Sequence, residues 1–87
     1  MNHHQRKILH AVFGHPLTAN LDLKDALHLL EALGAEIDNK RGARMGVALK
    51  GQTAFFHHAG HSLPKGEVMQ LRKFLESCGV TPEAYPL

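Results

Sequence analysis

Residues 54 to 61, Ala54-Phe55-Phe56-His57-His58-Ala59-Gly60-His61, run an apolar stretch into three histidines. Imidazole is the side chain best suited to moving a proton near neutral pH. Cleavage of an RNA phosphodiester by its own 2′-hydroxyl needs such a base. It also needs a cation to offset the charge that builds on the phosphate. His57 is the candidate base, with His61 four residues on as the partner acid and Arg44 as the cation. Downstream, Leu63-Pro64-Lys65-Gly66 reads as a helix entry. Free N–H groups and the helix dipole favour phosphate there, so Lys65 and Gly66 are candidate phosphate contacts. The plainer readings are that His57 and His58 end a strand with local hydrogen bonds, and that Gly66 is only a permissive N-cap.

Three histidines also raise the question of a metal. Adjacent strand residues point to opposite faces, so His57 and His58 do not share one ion. No cysteine pair or acidic ligand joins them, and no metal or other cofactor is expected.

Arg44 reaches His57 only through a hairpin. Residues 44 to 49 alternate, with Met45, Val47 and Leu49 on one side and Arg44, Gly46 and Ala48 on the other. Lys50-Gly51 reads as a two-residue turn, followed by a strand from Gln52 to His57 or His58. This register sets Leu49 opposite Gln52, Val47 opposite Ala54 and Met45 opposite Phe56. Opposed residues share a face, so Met45, Val47, Leu49, Ala54 and Phe56 form the core side. The other side carries Arg44 beside His57, Gly46 beside Phe55 and Ala48 beside Thr53. Opposed Cβ atoms lie ~5 Å apart, close enough for Arg44 and His57 to serve one phosphate. Phe55, on the open side, is placed to stack on a base or to pack under the N-terminal helix. Lys40-Arg41-Gly42 is a basic turn that adds two further candidate phosphate contacts, Lys40 and Arg41.

The remaining segments supply scaffold. Ile8, Leu9, Val12 and Phe13 give residues 4 to 13 a short amphipathic helix, stopped by Gly14-His15-Pro16. Residues 17 to 21 read as a connector. Asp22 offers an N-cap to a helix whose apolar stripe is Leu23, Ala26, Leu27, Leu30 and Leu33, with Gly34 as its stop. Ala35 to Asp38 is a short strand with Ile37 inward. Val68, Leu71, Leu75 and Cys78, widened by Phe74, mark the last helix over 67 to 78, ended by Gly79. Pro82 and Pro86 indicate a non-helical, mobile tail. The expected fold is α+β. Two helices, over 23–33 and 67–78, cover one face of a three-stranded antiparallel sheet and leave the other open. The first helix docks at an edge or acts as an added cap.

Composition fits this reading. Eighty-seven residues make one domain, which buries roughly 60–65% of its unfolded surface. Apolar content of 44% with 21% charged residues excludes a disordered chain. No apolar run approaches the ~20 residues that span a bilayer, and residues 8 to 13 are too short for a signal peptide. A single cysteine, Cys78, excludes an internal disulfide and fits the cytoplasm. Net charge is +2, too small to mark a nucleic-acid binder by itself.

Three stretches together carry a family resemblance. They are Leu27-His28-Leu29-Leu30-Glu31-Ala32-Leu33-Gly34, the hairpin, and above all Leu63-Pro64-Lys65-Gly66-Glu67-Val68 with the helix that follows to Gly79-Val80. Residues 22 to 80 resemble the HicA toxins, small bacterial ribonucleases of type II toxin–antitoxin systems. The resemblance implies a fold like a double-stranded-RNA-binding domain (helix-β-β-β-helix), here with an N-terminal helical extension over 1–21 and a tail over 81–87. It implies a metal-independent endoribonuclease, messenger RNA as target, and a HicB-like antitoxin as partner. The family pattern has Gly-Ser-His at the start of the second strand, and that histidine is its expected catalytic residue. Here Gly42-Ala43-Arg44 stand at the matching positions. Either His57 has taken over the lost role from the neighbouring strand, or the chain is a non-catalytic RNA- or protein-binding module.

Overall fold

A computed structural model describes residues 1–39 and 44–87. Helix α1 spans His3–Val12, strand β1 Asn20–Asp22 and helix α2 Leu23–Ala32. Strands β2 (Glu36–Asn39), β3 (Arg44–Leu49), β4 (Gln52–His57) and β5 (Ser62–Pro64) follow, then helix α3 (Lys65–Ser77). The class is α+β, with three helices and antiparallel sheets among the described residues.

The central sheet has the order β2-β3-β4. Its hairpin register is the one the alternation predicts, from Leu49 opposite Gln52 to Arg44 opposite His57. The turn explains why. Lys50 and Gly51 both have positive φ, 50° and 78°. Positive φ at both central residues makes the two-residue turn whose twist matches paired strands. Phe56 is 1% exposed and Phe55 54% exposed. Met45, Val47, Leu49 and Phe56 join α2 and α3 in one core, where Phe56 meets Phe74 edge-on at 5.9 Å.

Helix α1 is part of that core rather than a cap upon it. Asn2 and Gln5 form a reciprocal capping box at its start. Ile8, Leu9 and Val12 are buried. Packing of α1 on α2 turns the buried arc of α2. Leu29 is fully buried, while Leu23, Leu27 and Leu33 stay half-buried. The stripe read from spacing therefore omits one of its most buried members. Spacing marks one face, whereas α2 is packed against both α1 and the strands, so its buried arc is wider than the stripe.

Three further segments depart from expectation. The connector ahead of α2 contains β1, which pairs with β5 through Leu21 opposite Leu63. Both leucines are buried. Two strands of three residues each give too short an alternation to read, yet they tie the starts of α2 and α3 together. The Leu23 amide adds a 2.8 Å bond to the His61 carbonyl. Helix α3 begins at Lys65, two residues earlier than its stripe suggests. The tail is packed rather than loose. Tyr85 packs against the core, Pro82–Ala84 form a 3-10 turn, and His10 Nε2 donates to the Tyr85 carbonyl at 2.9 Å.

Arg72 fastens α1 to α3. Its Nε donates to the Val12 carbonyl at 2.9 Å and its Nη2 to the Gly14 carbonyl at 2.6 Å. A helix leaves its last carbonyls unpaired and its C-terminus partly negative, so a guanidinium fork answers both needs. Two charge-assisted bonds in a half-buried site contribute about 2 kcal/mol after solvent exchange. Arg72→Ala is expected to lower the thermal midpoint by roughly 8–15 °C, followed by circular dichroism. Arg72→Lys should recover only part of the loss, because it lacks the fork. An unchanged midpoint in Arg72→Ala would show that the contact contributes nothing.

Candidate functional site

The open face of the central sheet is built in rows by the strand register. Glu36, Ala48 and Thr53 form one row, and Asp38, Gly46 and Phe55 the next. Arg44 and His57 form the third. Gly46 is where the Phe55 ring lies down. A Cβ on Gly46 would sit 3.2 Å from Phe55 Cε1. The Arg44 guanidinium carbon stands 4.5 Å from the centroid of the same ring, a cation–π contact. Arg44, Phe55 and His57 are therefore neighbours on one exposed patch. Beside them a shallow hollow of about 380 Å³ runs over Gly46, Ala48 and Thr53 toward Glu36 and Asp38. The face is thus cationic at one end and acidic at the other.

His57 is exposed, and its ring has no hydrogen-bond partner among the described residues. Its backbone is held. The His57 amide donates to Glu67 Oε1 at 2.7 Å. Glu67 is the third residue of α3, where an acidic side chain usually reaches back to the N-cap amide. The N-cap here is Pro64, which has no N–H, so the carboxylate takes the strand amide instead. This bond sets the first turn of α3, with exposed Lys65 and Gly66, beside the end of β4. A Cβ on Gly66 would meet nothing within 4 Å. Crowding does not require glycine there, and the space above the helix start is open. Sequence reading missed Glu67. Its signal was the Pro-x-x-Glu spacing at a helix entry.

His61 does not face Arg44. Its surroundings are Asp22, Leu23, Lys24 and Leu27, around a hollow of about 330 Å³ at the start of α2. His58 bends back, its Nδ1 lying 2.9 Å from the Gly60 carbonyl. Among the described residues no group of three or more His, Cys, Asp or Glu could hold a metal ion. Lys40 and Arg41 lie outside the described residues. Cys78 is buried, with its thiol 3.4 Å from the Leu49 carbonyl. No helix among the described residues is long and apolar enough to cross a membrane.

No protein-family model, no curated protein and no solved structure matches this chain. The site's chemistry is therefore argued from its own residues.

Phe55 offers one direct check on that chemistry. An aromatic ring kept for packing is expensive to remove, about 3–5 kcal/mol when truncated in a core. A surface side chain costs about 0.5 kcal/mol or less. Phe55→Ala should fall near 1 kcal/mol or below, given its contacts with Gly46 and Arg44, while Phe56→Ala falls in the core range. Urea denaturation of the two variants measures both. A Phe55 loss as large as that of Phe56 would make it a structural residue.

Proposed function

We propose that this chain acts on RNA through its open sheet face, as an RNA-cleaving toxin related to HicA with a fold like a double-stranded-RNA-binding domain. The observation that carries the reading is the patch itself. An exposed aromatic ring, a guanidinium over that ring and a histidine opposite the guanidinium share one side of the sheet. Phe55 would stack on an unpaired base, as aromatics on open sheets do for single-stranded RNA. Arg44 would hold the phosphate and stabilise its developing charge. His57 would take the proton from the 2′-hydroxyl, whose oxygen then attacks the adjacent phosphorus; the P–O5′ bond breaks, leaving a 2′,3′-cyclic phosphate, and the departing 5′-oxygen takes its proton from water. Lys65 and Gly66, at a helix start without a side-chain cap, would hold a neighbouring phosphate. Lys40 and Arg41 extend this cationic end in sequence. His61 is the weakest member of the set, because its known neighbours belong to α2. The partner in this reading is a HicB-like antitoxin that covers the open face. The setting is the bacterial cytoplasm, where a lone thiol such as Cys78 stays reduced.

One observation favours a second reading, a non-catalytic RNA-binding module on the same fold. Catalytic bases are usually oriented by a third group, and the His57 ring has none among the described residues.

The two readings separate on cleavage of a structured RNA by the purified protein. General-base help contributes about 10²–10⁴-fold. His57→Ala should lose most of the cleavage while binding persists and circular dichroism stays unchanged. Arg44→Ala should weaken binding and turnover together, with a smaller salt dependence of affinity. Wild type cleaving no faster than His57→Ala, while still binding RNA, replaces the toxin reading with the module. Affinity that stays flat from low to moderate salt sinks both.

A further inference from the structure

The hollow on the open face offers different groups on different sides. Gly46 and Ala48 form its floor, so nothing larger than a methyl group stands above the strands there. Phe55 walls one side. Arg44 belongs to the row beyond Phe55, and its guanidinium lies over that ring at 4.5 Å. The row order leaves the other side of the ring to the hollow. The far row is Glu36, Ala48 and Thr53, all exposed. Neighbouring strands lie about 4.8 Å apart, so Glu36 and Thr53 flank Ala48 from either side. No hydrogen bond from a described residue reaches the Glu36 carboxylate. Asp38 borders the same hollow one row nearer Arg44.

These groups fit one kind of occupant. A flat floor beside an aromatic wall suits a flat aromatic ring. A volume of about 380 Å³ is that of a small-ligand site. Two bordering carboxylates repel phosphate and favour an edge that donates hydrogen bonds. Guanine is the base that sets two adjacent donors, N1–H and the 2-amino group, before a single carboxylate. Its O6 stands beside them and accepts, which answers the Thr53 hydroxyl. Cytosine and adenine offer one amino donor next to an acceptor nitrogen. Uracil offers one N–H between two carbonyls. The span also fits. From the Arg44 row to the Ala48 row is about 13 Å along β3. Arg44 leans back over Phe55, which shortens the gap to what one nucleotide bridges, phosphate at one end and base edge at the other.

We propose that the hollow beside Phe55 is a base-specificity site that selects an unpaired guanosine, the nucleotide immediately 5′ of the phosphate held by Arg44. Glu36 accepts from N1 and the 2-amino group, Thr53 donates to O6, and Phe55 stacks on the ring. A paired guanosine is excluded, because its Watson–Crick edge is already engaged. The proposal rests on the RNA reading of the open face and adds to it which base is read.

The test compares the affinity of the full-length chain for an oligouridine and for the same oligouridine carrying one central guanosine. The guanosine should tighten binding by about tenfold, the discrimination expected of one bidentate pair. Central cytidine or adenosine should gain less. Inosine, which lacks the 2-amino group, should fall between guanosine and uridine, a readout that needs no protein variant. Glu36→Gln keeps one acceptor and loses the pair, so it should bind the two oligonucleotides alike. Ala48→Leu fills the floor and should do the same, while both variants keep the salt-dependent affinity for oligouridine and an unchanged circular dichroism spectrum. Cleavage should leave fragments that end in guanosine 2′,3′-cyclic phosphate. A guanosine preference without cleavage supports the site and removes only the catalytic step. Salt-dependent RNA binding with no guanosine preference overturns this proposal and leaves the RNA reading standing. Inosine binding as tightly as guanosine, or a guanosine preference that survives in folded Glu36→Gln, also overturns it. Guanosine 3′-monophosphate binding as tightly as the oligonucleotide would make a free nucleotide the ligand and overturns the RNA assignment. Absence of any RNA binding overturns the proposal and the RNA reading together.

Discussion

The Lys50-Gly51 turn holds β3 and β4 in one register, and the two sides of the molecule follow from it. Side chains alternate with period two, so a slip of one residue would either carry Phe56 to solvent and Phe55 into the core, or carry Met45 and Val47 out and Arg44 in. Burying the Arg44 cation without a partner would cost far more than the turn's strained φ values. The two preferences reinforce one another. The turn accepts positive φ at both residues, 50° and 78°, and the apolar pattern tolerates only the register that the turn allows. Arg44 then falls opposite His57 with no further device needed.

A second constraint comes from the ends of the helices, where backbone groups lack partners. Three separate side chains meet it, and two of them tie different elements of the chain together. Asp22 caps α2. Arg72, from its place on α3, takes the last carbonyl of α1 and that of Gly14 just beyond it. Glu67 faces a proline N-cap that has no amide to offer, and bonds to β4 instead. Helix starts and stops thereby become tertiary contacts. A chain of 87 residues, with little core to spare, gains cohesion from groups that would otherwise only need water.

How far the sequence reveals this fold depends on the length of each signal. The hairpin shows itself through six alternating residues and a glycine turn, and the α3 stripe through five apolar positions. The hairpin is found where the spacing puts it, and α3 spans its stripe but starts two residues ahead of it. Strands β1 and β5 are three residues each, and their pairing joins segments about forty residues apart in the chain. No local pattern encodes that. Leu29 was hidden because a helix buried on two sides no longer has one stripe. In the candidate site, Arg44, Phe55 and His57 were legible because one register places them all. His61 was not, since sequence distance from His57 says little once a turn at Gly60 (φ 59°) intervenes. Glu67 was legible in principle, but only by noticing that proline denies a capping carboxylate its usual amide.

Strand β2 separates two surfaces of different chemistry. Its alternation sends Glu36 and Asp38 to the open face and Ile37 toward the core and a hollow beside α2. Two unit charges 4 Å apart interact by about 4 kcal/mol near a protein surface. A phosphate placed over the Glu36 end would meet that repulsion, whereas one beside Arg44 would meet attraction. In the RNA reading proposed above, the strand would lie at the Arg44–His57 end, with a base over Phe55 and its backbone away from Glu36. One short strand, by alternating acid and aliphatic residues, thus gives the open face its acidic end and the core a partly buried Ile37.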